Sequence, residues 1–180
     1  MRFYYFVGQP GAGKTTLLRA LVAPARRADM ERPVPHMAYL APHGLPLGAQ
    51  MGRDRGTFSG TDALALSIQP KAVAWVQGQP YDLLIAEGDR LANDAFFLAV
   101  REAGYTLTVL HLATPDGVAA ERRAARGSDQ NAAWLKGRMS KVARLAETWG
   151  AIALDGTRPT DALVAQLTTM EGLDRFKEAA

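Results

Sequence analysis

The chain has 180 residues, 48% of them hydrophobic and 22% charged, with 21 Lys plus Arg against 18 Asp plus Glu. That length and balance suit one ordinary globular domain with a substantial core, and the formal net charge of +3 permits a polyanionic partner without requiring one. The sequence has no cysteine, which excludes disulfides, thiolate metal sites and a cysteine nucleophile, and no apolar run approaches the ~20 residues of a membrane-spanning helix.

Phe3 to Val7 is a β-prone apolar run that predicts a strand, followed at once by a glycine-rich loop. A strand and loop so close to Met1 leave no room for a removable signal segment, so a cytoplasmic location with no membrane partner is expected. The loop, Gly8-Gln9-Pro10-Gly11-Ala12-Gly13-Lys14-Thr15-Thr16, satisfies GxxxxGK[ST]. Glycines at 8, 11 and 13 let the backbone turn its N–H groups inward around an anion. The helix predicted from Thr15 to about Val22 points the positive end of its dipole at the same place. Lys14 supplies an ammonium for the β- and γ-phosphates, and the Thr15 hydroxyl is a hard oxygen ligand for Mg²⁺. Residues 8–16 are therefore the candidate nucleotide-binding set, with ATP and Mg²⁺ as the implied cofactors.

Pro24 to Pro35, with Arg26, Arg27 and Arg32, reads as a basic surface connection. His36 to Leu40 predicts a short second strand. Ala41 to Gly60 carries five glycines and two prolines without sustained periodicity and reads as a functional loop, where Arg53, Asp54 and Arg55 give the chemistry of a substrate loop. Asp62 to about Gln77 reads as a helix kinked or divided at Pro70. Asp62, in its first turn, suits either capping or catalysis. Tyr81 to Ala86 is a continuous apolar run, the signature of a strand buried on both faces of a parallel sheet. It ends in Glu87-Gly88-Asp89-Arg90, and a carboxylate at that edge is where a phosphate-loop protein holds magnesium or its water. Glu87 is the candidate, and Asp89 could exchange roles with it.

Leu91 to Ala103 predicts an amphipathic helix closed by Gly104, and Tyr105 to Leu112 a further strand. Pro115 starts a helix on which Arg122 and Arg126, four apart, share a face. Gly127 to Asn131 interrupts it, and a longer helix runs to about Trp149, with Leu135, Met139, Val142, Leu145 or Ala146, and Trp149 inward and Lys136, Arg138, Lys141 and Arg144 on its other side. A helix-loop-helix with guanidiniums on both arms has the chemistry of a mobile lid over a triphosphate. Ala151 to Leu154 predicts a fifth strand and Asp155 to Pro159 a turn into a closing helix. The charged tail after Thr168 is expected to fray.

Five strands alternating with helices specify an α/β fold, a five-stranded parallel sheet covered on both faces, in one domain with a lid at about 122–138. The ligand belongs at the carboxyl ends of the strands.

GQPGAGKTT (8–16), LLIAEGD (83–89), RRAAR (122–126) and LDGTRP (154–159) together resemble the P-loop kinases of the adenylate-kinase and polynucleotide-kinase type. Within that superfamily, RGTFSGTDAL (55–64) and RRAARGSDQNAAWLKGR (122–138) look like the small phage kinases that phosphorylate 5-hydroxymethyluracil in DNA. EGDR after the third predicted strand departs from many nucleoside monophosphate kinases. The resemblance implies transfer of the ATP γ-phosphoryl to a primary alcohol, with DNA as partner. Lys14 and the loop would hold the phosphates, Thr15 and Glu87 the Mg²⁺, and Arg122 and Arg126 the phosphoryl in flight. Asp62, or Asp89 or Asp54 in its place, would take the alcohol's proton, and Arg53 and Arg55 would meet the DNA backbone. A free nucleoside or nucleotide acceptor, or an ATP-hydrolysing switch, would use the same phosphate-binding residues.

Overall fold

The computed structural model describes residues 1–55, 58–128 and 130–177. Strand β1 (Arg2–Val7) lies at the centre of the sheet, flanked in parallel by β7 (Leu83–Glu87) and β8 (Thr106–Ala113). With β4 (Pro46–Met51) beyond β7 and β9 (Ile152–Asp155) beyond β8, these five strands are all parallel. Two further strands, β2 (Arg26–Met30) and β3 (His36–Leu40), extend the β4 side antiparallel, giving the order β2-β3-β4-β7-β1-β8-β9.

Period-two alternation divides β1 between two cores although all but its first residue is buried. Phe3, Tyr5 and Val7 point to one face and Tyr4 and Phe6 to the other. The first face is covered by α2 (Gln69–Gln77) and α3 (Asp94–Glu102), through Trp75, Val76, Phe96 and Phe97, and by Leu145 of α5 (Ala132–Thr148). The second is covered by α1 (Lys14–Val22) and α6 (Thr160–Leu167), through Leu17, Leu18, Leu21, Leu163 and Leu167. Helix α4 (Asp116–Ala124) follows β8.

The mixed α/β fold agrees with the sequence reading, but the sheet has seven strands where five were expected. The stretch 26–30 forms β2 rather than a loop, because its backbone completes the hydrogen bonding of the exposed β3 edge. His36–Leu40 is a strand as expected, yet it runs antiparallel. The second parallel strand is β4, inside the segment read as a loop, where Gly48 removes the Cβ that would meet the Leu83 carbonyl at 2.8 Å. The rest of that segment makes a small hairpin of β5 (Arg53–Arg55) and β6 (Phe58–Gly60).

Three other boundaries move. The helix expected from Asp62 is a 3₁₀ turn over Thr61–Ala63 followed by α2, which begins at Gln69 with Pro70 in its first turn, where a missing N–H costs nothing. On α5 only Leu145 is fully buried, and Leu135, Met139, Val142 and Trp149 are half-buried. As far as Lys177 the tail is not frayed, since Leu173 and Phe176 are fully buried against the α1–α6 face and the Phe176 ring meets Tyr39 edge-on at 5.7 Å.

Candidate active site

The loop 8–13 leaves β1 at its carboxyl end and delivers the chain into α1. Gly11 (φ +87°) is needed there for two reasons. Its backbone lies in the left-handed region, and a Cβ would sit 2.4 Å from the Ala119 carbonyl of α4. Helix α4 is thus seated directly on the loop. Lys14 is half-buried and donates to the Gly8 carbonyl at 2.7 Å and the Gln9 carbonyl at 3.3 Å, and desolvation lowers its pKa. Gln9 is tied outward through its side chain to the Thr114 carbonyl (2.7 Å) and to Asp116 Oδ1 (3.0 Å).

At the first residues of α1, the Thr15 hydroxyl donates to Glu87 Oε1 at 2.7 Å. Glu87 is the last residue of β7, beside Phe6 of β1, and is only 3% exposed. Burial raises its pKa, an effect that the charge of Lys14 and the Thr15 hydrogen bond oppose. A hydroxyl and a carboxylate oxygen adjoining a phosphate cradle are hard oxygen donors of the kind Mg²⁺ takes alongside phosphate and water. The residues therefore fit that ion. Among the described residues no cluster of three or more His, Cys, Asp or Glu could hold a metal by itself.

Above Glu87 the chain crosses the sheet edge at Gly60, Thr61 and Asp62. Gly60 has φ +62°, and a Cβ there would lie 2.5 Å from the Glu87 carbonyl. Tyr5, wholly buried, anchors this crossing. Its hydroxyl lies 3.1 Å from Thr61 Oγ1 and donates to the Gly88 carbonyl at 3.0 Å. Asp62 Oδ1 accepts the backbone N–H groups of Asp89 (2.7 Å) and Arg90 (3.0 Å). Burial raises the pKa of Asp62, opposed in turn by the Arg90 amide and by Lys14. Asp62 is thus both a loop-bracing carboxylate and a neighbour of the phosphate loop. Asp89 is engaged by α5, with an ion pair to Arg138 and Lys141 Nζ 2.9 Å from its Oδ1.

Of the two arginines expected in a lid, Arg122 lies in the last turn of α4 and Arg126 just beyond it. Arg122 donates to the Ala12 carbonyl and to the Gly156 carbonyl, each at 3.1 Å. Arg126 is exposed and donates to the Arg122 carbonyl at 3.2 Å. Arg123, which the sequence reading passed over, donates to the Pro10 carbonyl at 2.7 Å. Helical spacing alone does not separate 122, 123 and 126, since what distinguishes them is the carbonyl-rich underside of the loop.

Arg53 pairs with Glu31 rather than reaching into the site. The side chain of Arg55 lies outside the described residues, as do Gly56, Thr57 and Asp129. Asp54 is bound by Arg19 and Arg27, and the Arg19 hydrogen bond holds its carboxyl below the usual range. Arg19 also went unnoticed in the sequence. It lies one helical turn after Thr15, so it faces the same side, but its partner is 35 residues away.

A model of the family described as P-loop Nucleotide Kinase3 matches residues 1–171. No curated protein matches the chain. Among solved structures, an unliganded crystal structure of a sugar kinase from Janibacter sp. HTCC2649 superposes with a TM-score of 0.54 at 17% identity, covering 94% of this chain and 93% of that one. At that identity the likeness concerns the fold. Among the described residues no helix is long and apolar enough to cross a membrane.

Proposed function

The chain belongs to the P-loop Nucleotide Kinase3 family and is a phosphate-loop kinase, and from that premise we propose that it moves the γ-phosphoryl of ATP to a primary hydroxyl, that of 5-hydroxymethyluracil in DNA. The observation that carries the phosphotransfer is the contact between Thr15 and Glu87 at the mouth of the glycine loop, hydroxyl to carboxylate at 2.7 Å. The likeness of residues 55–64 and 122–138 to the phage kinases supports the acceptor.

In this reading the amides of the loop and the ammonium of Lys14 bind the phosphate tail, and Lys14 leaves its carbonyl partners for phosphate oxygens. Thr15 and Glu87 would hold Mg²⁺, which would supply neutralisation of the charge on the transferring phosphates. Arg122 keeps the loop in register, Arg126 reaches over the phosphates, and Asp62 orients the acceptor alcohol and receives its proton. Arg53 and Arg55 meet the strand that carries the base, which must leave its stack to enter.

A second reading, a free nucleoside or nucleotide acceptor, is favoured by the description of the family as nucleotide kinases. The test is incubation with labelled ATP and either hydroxymethyluracil-containing DNA or the corresponding free deoxynucleotide, with Lys14→Ala as the inactive control. Label in the DNA is the expected result. Label in the small molecule alone refutes the DNA acceptor.

A further inference from the structure

Beside α1, on the face away from α2 and α3, lies a cavity of about 210 Å³ that begins at Thr15. Its floor is the sheet surface at Tyr39 and Gln50, its far wall is Asp54 and Ser59 of the small hairpin, and its apolar side is Val22 and Met37. Gln50 is only 5% exposed and lines the cavity, to which its amide nitrogen is open. Its oxygen accepts from the Tyr39 hydroxyl at 2.9 Å. Its nitrogen has no acceptor among the described residues, although the side chain faces the cavity.

We infer that this cavity seats the acceptor's base, a single pyrimidine-type ring whose carbonyl oxygen takes the Gln50 amide N–H. Three features of the cavity lead there. Its volume is below the ~300–1,000 Å³ that holds drug-sized ligands, so a ring fits and its sugar and phosphates stay outside. The unused polar group is a donor on a rigid floor, already oriented by Tyr39, and a ring carbonyl is the acceptor that completes it without bringing a charge into the cavity. Thr15, at the opening, belongs to the phosphate site, so a hydroxymethyl arm on the ring points toward the transferring group. Arg19 and Arg27, which flank Asp54 at the rim, are placed for a backbone phosphate left outside. A ring presenting an amino group where the carbonyl belongs would set donor against donor, so a 4-oxo ring is preferred to a 4-amino one.

This assignment rests on the kinase reading above, and the experiment separates the two. Calorimetry with thymidine, which carries the ring but not the hydroxymethyl group, and with deoxycytidine is run on wild type, Gln50→Ala and Ala23→Phe. Ala23 is an exposed residue on the cavity wall, so a ring there fills the space with little consequence for folding. Thymidine is expected to bind wild type at least tenfold more tightly than deoxycytidine and to lose at least tenfold in both variants. In turnover, the KM for the acceptor should rise by a similar factor in both, with the KM for ATP unchanged. Thymidine binding that is equal in all three proteins, or absent from wild type, overturns the pocket even if DNA is phosphorylated. Thymidine binding lost in Gln50→Ala, alongside no transfer to any pyrimidine acceptor, supports the pocket and refutes the acceptor reading.

Discussion

Arg122 Nη1 donates at 3.1 Å to the carbonyl of Ala12, in the middle of the phosphate loop, while Nη2 of the same guanidinium holds Gly156 after β9. One rigid fork thereby ties the loop after the first strand to the loop after the last.

That bridge makes Arg122 a support of the loop in addition to the phosphate-facing role proposed for it. Arg122→Ala takes its donor from the Gly156 carbonyl and leaves the Ala12 carbonyl with the Thr114 hydroxyl alone, at a cost of about 1–3 kcal/mol in stability. The kcat/KM for ATP should fall about 10²–10³-fold, as when one preorganised donor is removed. Arg122→Lys should rescue little of this, because a point charge cannot reach both carbonyls at once. Steady-state kinetics beside urea melts check it, and wild-type kinetics in the alanine variant would refute it.

Asp62→Asn keeps an oxygen for the Asp89 and Arg90 amides, so the loop after β7 should hold its shape. Turnover is expected to drop about 10²–10⁴-fold, the usual range for a lost general base, with ATP affinity preserved in a binding titration. Unchanged turnover would move the proton acceptor to Asp54 or Asp89.

Burial lifts the Glu87 pKa above its ordinary 4.5, so the folded protein without nucleotide or Mg²⁺ binds that proton more tightly than the unfolded chain does. This contribution to stability is therefore full below 4.5 and is lost as pH rises through the folded value, leaving an ionised carboxylate that costs free energy at pH 7. Glu87→Gln should melt at a higher temperature than wild type at pH 7, with the gain shrinking as pH falls toward 4.5, while phosphotransfer is lost. A glutamine variant that melts below wild type at pH 7 would show that the carboxylate is a net stabiliser.

Phe176 is fully buried, close to the end of the described chain. Phe176→Ala should cost about 3–5 kcal/mol by urea denaturation, the range for emptying a core phenyl site. A change under about 0.5 kcal/mol, typical of exposed positions, would restore the frayed tail expected from the sequence.

The phosphate loop, α1, β7 with its terminal Glu87, β8, the helix pair α4–α5 and β9 were all legible in the sequence, because each is written in local chemistry. A glycine spacing, an apolar run or a 3.6-residue period lies within a window of a few residues. The β2–β4 region was not legible. Arg26–Met30 is polar and largely exposed, and it is a strand only because β3 offers an unpaired edge. Pro46–Met51 holds a glycine and few β-branched residues, and it becomes the second parallel strand because Leu83 and its neighbours lie beside it. Its buried Gln50 could not be told from a surface glutamine.

By itself, then, the sequence determined that a glycine-rich loop would join a strand to a helix, with a lysine and a threonine at the corner, and that a carboxylate would stand at the end of a neighbouring buried strand. The covalent spacing of glycines, lysine and threonine carries that information along the chain. Only the tertiary structure decided which cation meets which partner: Arg122 and Arg123 on the loop's carbonyls, Arg138 and Lys141 on Asp89, Arg19 and Arg27 on Asp54. Those pairings join residues between 27 and 113 positions apart, from Arg27 to Asp54 across 27 to Arg123 to Pro10 across 113, and no local pattern encodes them. They follow from where the sheet order brings the loops at its carboxyl edge, where long flexible cations settle on whichever carbonyls and carboxylates folding leaves within reach.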